Sequence, residues 1–472
     1  MLPKISKIKG VKENQTTAFL IDGSDQLKTA PLNDSEKQYI EEKLKDEQEA
    51  TLFRVPNILF FHKGTENKEY LLKEAARKAG EAFFDNLKKE KIKSVQISRF
   101  GEKQLTLPFL EGLLLSAYSF SKYKKKKDDY VPNEVFIADD AVSEEQINEL
   151  AQLTEAVFHA RNLINEPLSY LTAEKFSQEM EKLGNEAGFS VEVLNKKKIE
   201  SLRMGGLLAV NKGSIDPPTF SILEWNPENA KNKKPVVLVG KGVVYDSGGL
   251  SLKPTAKSMD YMKSDMGGGA VVASAIYAIA KNKLPIHVIG LVPATDNRPD
   301  GNAYVPGDII TMYDGTTVEI KNTDAEGRLL LADALSYAKK YDPELVIDVA
   351  TLTGSAPMIA AHHALIAMGN SPENLQKLKQ NGEETFERLV EVPLWEEFGK
   401  PLKSPVADLN NLGAREGQTS IAGKFLEHFT DYPWLHLDIA GVAFLHEKDS
   451  YRPEGGTGFG TRLLYHFLKK FN

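Results

Sequence analysis

The chain contains no cysteine. That absence removes disulfides, thiol nucleophiles and cysteine-bound zinc together, so any metal here must be held by oxygen or nitrogen. Long apolar runs are also missing. The best stretches, such as Val271 to Ala280, fall well short of the ~18 residues that a membrane span needs. The lysine-rich segment Met1 to Gln15 has no apolar run behind it, so a signal peptide is not expected and a cytoplasmic protein without a membrane partner is. An excess of basic residues is absent too: Lys and Arg number 59 against 66 Asp and Glu, a net charge of -7. That balance gives no support to a general nucleic-acid surface, so nucleic acid is not an expected partner.

Three familiar catalytic signatures fail on inspection. His-Glu-x-x-His would need a second histidine where Ser450 follows His446-Glu447. The nucleophile elbow Gly-x-Ser-x-Gly fails because Asp246-Ser247-Gly248 lacks its first glycine. A phosphate loop fails because the glycine spacing before Gly240-Lys241 is wrong and Gly242 is neither Ser nor Thr. His362 and His363 are adjacent, so on a helix they would point apart and serve as surface or packing residues.

What is present is an α/β chain of 472 residues, 41% hydrophobic and 26% charged, too long for one hydrophobic core. Residues 1–142 read as a smaller N-terminal α/β domain. Strands are expected at Thr17–Ile21, Asn57–Phe61, Ser94–Ile97 and Glu134–Ile137, and helices at Glu66–Lys89 and Phe109–Phe120. The run Lys122, Lys124, Lys125, Lys126, Lys127 reads as solvated loop. Residues 143–166 read as a linker helix opened by a capping box of Ser143 and Gln146, with Ile147, Leu150, Leu153, Val157 and Ala160 at helical spacing. Residues 167–472 form the larger C-terminal domain, with a mixed central sheet flanked by helices. Its strands are expected at Ser190–Leu194, Thr219–Trp225, Val236–Val239, His287–Val292, Leu345–Val349 and, as the last one, Trp434–Ile439. A short helix should end near Met204-Gly205-Gly206, a second helix runs Gly267–Lys281, and Gly460–Phe471 is the terminal one.

The chemistry concentrates in two stretches of that domain. In Asn322 to Leu331, Asp324 and Glu326 stand two apart, so they converge only if the chain is still in a loop. From Arg328 onward Leu329, Leu330, Ala332, Ala334, Leu335 and Ala338 read as a buried helix. The carboxylates suit that helix entrance, whereas Arg328 carries the wrong charge for it. Upstream, Lys241 follows an apolar strand directly, at the end where open α/β sheets hold ligands. Asp246, Lys253, Met262, Lys263 and Asp265 crowd the next stretch beside glycines. Surface turns are one reading of it. The other is a two-metal site, because Asp246, Asp265, Asp324 and Glu326 supply four carboxylates suited to hard or borderline divalent ions. A nearby lysine could be a ligand with lowered pKa or a charged group that polarises a carbonyl.

Taken together, the two stretches resemble the leucyl aminopeptidases of the M17 type. Asn322-Thr323-Asp324-Ala325-Glu326-Gly327-Arg328-Leu329 looks like that family's signature octapeptide, and Val239–Gly242, Asp246–Gly249, Lys253-Pro254, Met259–Gly268, Asp348–Gly354, Ala407–Leu409 and Leu437–Gly441 match as well. The resemblance runs from about Asn165 to the C-terminus. It implies that Lys241, Asp246, Asp265 and Glu326 hold one divalent ion. It gives the other to Asp246, Asp324 and Glu326, with Zn or Mn, or else Mg or Co, as the ions. Lys253 would stay charged and stabilise an oxyanion, and Arg328 would hold a bicarbonate-like anion that takes the proton from a water bridging the ions, leaving the attacking hydroxide. Met262, Thr351 and Gly354 would line the pocket for the first side chain, leucine-like but broad.

The implied activity is removal of N-terminal residues from peptides by a homohexamer. A narrow dipeptidase acting on cysteinylglycine, or a relative that also binds DNA, stands as the alternative. One departure is local: Gly269 occupies a position where the family carries alanine, which should change helix-start stability by about 1 kcal/mol or less.

Overall fold

The computed structural model describes residues 2–12, 15–21, 33–46, 49–54, 57–62, 68–99, 101–127 and 129–471. Glu66 and Asn67, expected to open a helix, lie outside the described residues, as do Met1, Glu13 and Asn14 of the N-terminal stretch. The chain divides into two compact units. The first holds residues 1–155 with 447–453, and the second holds 156–446 with 454–472.

The first unit is built on a six-stranded sheet of β1 (Lys4–Lys7), β2 (Thr16–Ile21), β3 (Glu49–Arg54), β4 (Asn57–His62), β5 (Ser94–Arg99) and β6 (Glu134–Ala138). Their order is β1-β6-β5-β2-β4-β3, parallel throughout except where β3 meets β4. Helices α1 (Asp34–Asp46), α2 (Glu69–Glu90) and α3 (Thr106–Ser116) belong to it, and α4 (Glu144–Asn165) leads out of it. Alternating strand residues Val95, Ile97, Val135 and Ile137 bury against Phe83, Phe84, Phe109 and Leu113 of α2 and α3. The capping box is formed: the Ser143 amide donates to Gln146 Oε1 at 2.9 Å, and the Gln146 amide donates to Ser143 Oγ at 3.2 Å.

The second unit opens with α5 (Ala173–Ala187), β7 (Ser190–Leu194), α6 (Lys196–Leu202), α7 (Gly205–Asn211), β8 (Thr219–Trp225), β9 (Val236–Gly240) and β10 (Gly242–Asp246). It continues with α8 (Gly267–Lys281), β11 (Val288–Asn297), β12 (Ile309–Thr311), β13 (Thr317–Glu319), α9 (Gly327–Ala338), β14 (Leu345–Ala350), α10 (Ala356–Ala360) and β15 (Leu365–Gly369). Last come α11 (Pro372–Thr385), β16 (Leu389–Glu391), β17 (Leu409–Asn410), α12 (Gln418–Glu427), β18 (Trp434–Asp438), β19 (Phe444–Leu445), β20 (Gly455–Gly456) and α13 (Thr461–Lys469). Nine strands make the main sheet in the order β16-β15-β18-β14-β9-β11-β8-β7, with β10 paired to β11 off that path. It is mixed: β8 runs antiparallel to β11 and β7, and β15 antiparallel to β18, while β11, β9, β14 and β18 run parallel. Helices flank it on both faces. Ile289 and Leu291 join the core cluster built around Leu329, Leu330 and Leu335 of α9. Gly290 between them faces the other way, toward Ile276 of α8.

The short helix expected to end near Met204 does so, α6 closing on a left-handed Arg203, and Gly205 and Gly206 begin a further helix, α7. Three local expectations are corrected. Trp434–Asp438 is not the last strand, because the two-residue strands β19 and β20 pair after it. His362 and His363 lie in a turn beyond α10 with ring centroids 4.1 Å apart, so they do not point apart on a helix. The strand expected to stop at Val292 runs on to Asn297, through Pro293. Pro293 falls between the last β9 partner, Leu291 opposite Val239, and the first β10 partner, Ala294 opposite Gly242. The ladder on that side is interrupted there, which is where a residue without an N–H can sit.

Candidate metal centre

The carboxyl ends of the adjacent strands β10, β11, β9 and β14 form the platform of the site. Asp246 and Asn297 are the last residues of β10 and β11, while Lys241 and Thr351 directly follow β9 and β14. Asp324 lies in the loop before α9, and Glu326 immediately precedes the helix. Both therefore stand at its entrance, as the two-residue spacing required. Gly327 explains how a lysine can approach that entrance. A Cβ there would lie 2.5 Å from Lys241 Cε and 2.7 Å from its Nζ, so any side chain would force the end of the lysine to shift. Gly248, at φ +85°, turns the chain after Asp246 in a conformation that side chains rarely adopt.

Five of the expected ligand residues and Lys253 meet in direct contact. Lys241 Nζ lies 2.8 Å from Asp265 Oδ2, 2.9 Å from Glu326 Oε1 and 3.0 Å from the Thr351 carbonyl. Lys253 Nζ lies 2.9 Å from Asp246 Oδ2 and 2.5 Å from Asp324 Oδ1. Asp246, Asp265 and Glu326 each present an oxygen such that all three lie within 4.8 Å of one another. Glu326 Oε2 is buried with no hydrogen-bond partner among the described residues. Convergent buried oxygens with an unused acceptor fit a divalent cation by donor type and spacing.

The electrostatics carry the same signature. Burial pushes the Asp265 carboxyl up to about 7, with Glu326 adding to the rise and Lys241 opposing it. Burial likewise raises Asp246, reinforced by Glu326 and Asp265, and it raises Asp324, reinforced by Glu326. Glu326 departs from this: burial raises it, but Lys241 and Lys253 outweigh burial and hold it below the usual range. Both lysines are disfavoured as cations by burial, yet the surrounding carboxylates hold each above its ordinary value. Four carboxylates thus face two ammonium groups in a buried space. Positive charge is what the cluster lacks.

The remaining candidates surround this cluster less directly. Thr351 Oγ1 donates to Asp265 Oδ1 at 2.8 Å, so it touches the site itself. Met262 lies on the 3-10 turn Met259–Ser264 that leads into Asp265. Gly354 is exposed, with open space where a side chain would be. Arg328 is buried in the first turn of α9, its guanidinium 5.9 Å from the Phe425 ring, and its Nε has no hydrogen-bond partner. Among the described residues no carboxylate lies within ion-pair distance of it. Burial pushes Arg328 down to about 10, against the pull of Glu326 and Asp438.

Residues outside the sequence expectation complete the frame. Asn297 Nδ2 donates to Asp246 Oδ1 at 2.8 Å and to the Thr323 carbonyl at 2.9 Å. Thr323 Oγ1 donates to the Gly248 carbonyl at 2.6 Å, and Tyr304 donates to the Thr323 carbonyl at 2.7 Å. The signal for Asn297 was there in principle: a polar residue ending an apolar strand beside Lys241's strand. Pro293 hid it by making that strand look shorter.

Fold and site together define a class, an α/β protein with a carboxylate- and lysine-lined centre, fit for divalent ions, at its strand ends. Residues 158–465 match the model of the cytosol aminopeptidase family, catalytic domain. The chain belongs to that family, and so to the peptidases of the M17 type. It is 45% identical to a probable cytosol aminopeptidase of Chlorobium phaeobacteroides, over 84% of this chain and 83% of that one. Its identity to a probable cytosol aminopeptidase of Chlorobaculum tepidum is 47%, over 78% and 75% respectively. Among solved structures, the bottromycin maturation enzyme BotP in complex with Mn superposes with a TM-score of 0.84 at 30% identity, covering 97% of this chain and 99% of that one.

Proposed function

We propose that this protein is a two-metal aminopeptidase of the cytosol that removes single residues from peptide N-termini, leucine-like residues first but with a broad range. The observation that carries the reading is the cluster of buried Asp246, Asp265, Glu326 and Lys241 with half-buried Asp324 beside it, together with Glu326 Oε2, which has no hydrogen-bond partner among the described residues. Lys241, Asp246, Asp265 and Glu326 would hold one ion, and Asp246, Asp324 and Glu326 the other. The manganese in the BotP structure supports Mn as one candidate, with Zn, Mg and Co as the others. When bound, such ions would activate water and polarise the first peptide carbonyl.

The chain's own residues divide the remaining work. Lys241 would hold an ion as a neutral amine, so loading releases its proton. Lys253, lifted above the ordinary lysine range by Asp246 and its neighbours, keeps its charge and faces the oxyanion that develops at the carbonyl. Arg328, buried and without an ion pair among the described residues, would hold a small anion such as bicarbonate, which takes a proton from the attacking water. Met262, Thr351 and Gly354 would bound the first side-chain pocket: a pliable thioether, a small branched residue and an open glycine suit leucine without excluding other residues. The reading extends to a homohexamer on family resemblance. Native mass measurement at six chain masses supports that extension, and a lower mass removes it.

The decisive experiment strips the protein with chelator, reloads it separately with Mn and Zn, and assays aminoacyl anilides, dipeptides and an N-acetylated peptide. Leu-anilide hydrolysis restored by metal, with the blocked peptide untouched, is the expected result. Hydrolysis of the blocked peptide at a comparable rate overturns the exopeptidase reading, and activity confined to Cys-Gly replaces the broad range with a narrow dipeptidase.

A further inference from the structure

Two arms of the site reach it from different elements, Asp246 from the end of β10 and Asp324 from the loop before α9. One carboxamide joins them. Asn297 is fully buried, and its Nδ2 lies 2.8 Å from Asp246 Oδ1 and 2.9 Å from the Thr323 carbonyl, the peptide group that leads into Asp324. Both neighbours are acceptors only, so the amide nitrogen, and not the oxygen, must face them. Asn297 Oδ1 is left buried with no hydrogen-bond partner among the described residues. A group kept at the cost of an unsatisfied acceptor is held for what its other end does.

The backbone around Asn297 is equally fixed. Its carbonyl accepts from the Ser247 amide at 3.0 Å and from Ser247 Oγ at 2.8 Å. The Thr323 carbonyl also accepts from Tyr304 at 2.7 Å, so the peptide between Thr323 and Asp324 is held from two directions. Asp265 and Lys241 are secured differently, through Thr351: its Oγ1 donates to Asp265 Oδ1 at 2.8 Å, and its carbonyl accepts from Lys241 at 3.0 Å. Asn297 touches neither of them.

We infer that Asn297 is a positioning residue. It sets the spacing between Asp246 and Asp324, and so governs most strongly the ion those two would share with Glu326; the other ion would also take Asp246 but keeps Lys241, Asp265 and Glu326, none of which Asn297 holds, and is weakened less. This rests on the two-ion reading above. An amide is required because it gives two N–H donors without charge. An aspartate of the same shape would set a carboxylate against Asp246 and a carbonyl.

The test measures Mn bound per chain by equilibrium dialysis and elemental analysis for the unaltered protein, Asn297→Asp and Asn297→Ala, with far-ultraviolet circular dichroism as a check on folding. Both variants should keep one ion and lose about 10–100-fold in affinity for the second. Excess Mn should restore the second ion and kcat together. Affinities unchanged at both sites, or both weakened in parallel, overturn the assignment. If neither variant folds, Asn297→Ser decides, since one short hydroxyl cannot join Asp246 to the Thr323 carbonyl: selective weakening of the second ion supports the inference and unchanged binding overturns it. Fewer than two ions on the unaltered protein would instead remove the two-ion reading itself.

Discussion

Both units bury acids, and Asp139 of the first is treated in the opposite way to three aspartates of the second. In the first, Asp139 pairs with Arg99 at 2.9 and 3.3 Å and accepts from Thr106 at 2.6 Å and from the Ala141 amide at 3.0 Å. Burial would raise its carboxyl, but these partners together hold it below the usual range. In the second, Asp246, Asp265 and Asp324 are raised by the same burial, and here like charges add to the rise. Burial is common to both cases; company is not. A structural ion pair closes its own hydrogen bonds, whereas a site keeps groups that the protein alone does not neutralise.

Substitutions can break that contrast, and the largest effect belongs to Glu326→Ala. It should cost metal and Leu-anilide hydrolysis well beyond the roughly 10–100-fold of a residue one layer out, while circular dichroism stays that of a folded chain. Retained activity would return Glu326 to the class of Asp139. Lys253→Ala should keep both ions by elemental analysis and lower kcat by about 100–1,000-fold; loss of metal in parallel would make Lys253 a structural counter-charge. Asp139→Ala should do the reverse, lowering stability to denaturant by about 1–3 kcal/mol with kcat/KM unchanged. The smallest effect is expected at Gly269→Ala. Helix propensity favours it by about 1 kcal/mol, but the new Cβ would stand 2.8 Å from Val292 Cγ1. A net change in melting stability within about 1 kcal/mol is the outcome, and a larger loss would mean that Val292 cannot yield.

Most regular elements could be read from periodicity because their burial is regular. Thr219–Trp225 and Gly267–Lys281 fall where their patterns put them. The family was legible because the candidate ligands sit in two short, nearly unbroken stretches. Asn297 was not legible, for two physical reasons. A proline inside a strand argues against the strand, and the polar run Thr295-Asp296-Asn297-Arg298 resembles a turn. Its importance comes from Asp246 and Thr323, neighbours that only the folded chain supplies. The same holds for Gly327: nothing local says that a lysine following β9 occupies the place of its missing side chain.

The excursion of residues 447–453 into the first unit bears on the order of synthesis. Lys448 lies 2.6 Å from Glu81 and 2.9 Å from Asp85, and the Tyr451 hydroxyl donates to Glu74 Oε2 at 2.9 Å. These partners sit on α2, in a unit whose other residues end at Glu155. On a ribosome adding about 5–20 residues per second, the missing seven residues follow roughly 15–60 s later. The N-terminal unit can begin folding first but finishes only after nearly the whole catalytic unit has been made. The unit translated before the catalytic one is therefore among the last to close.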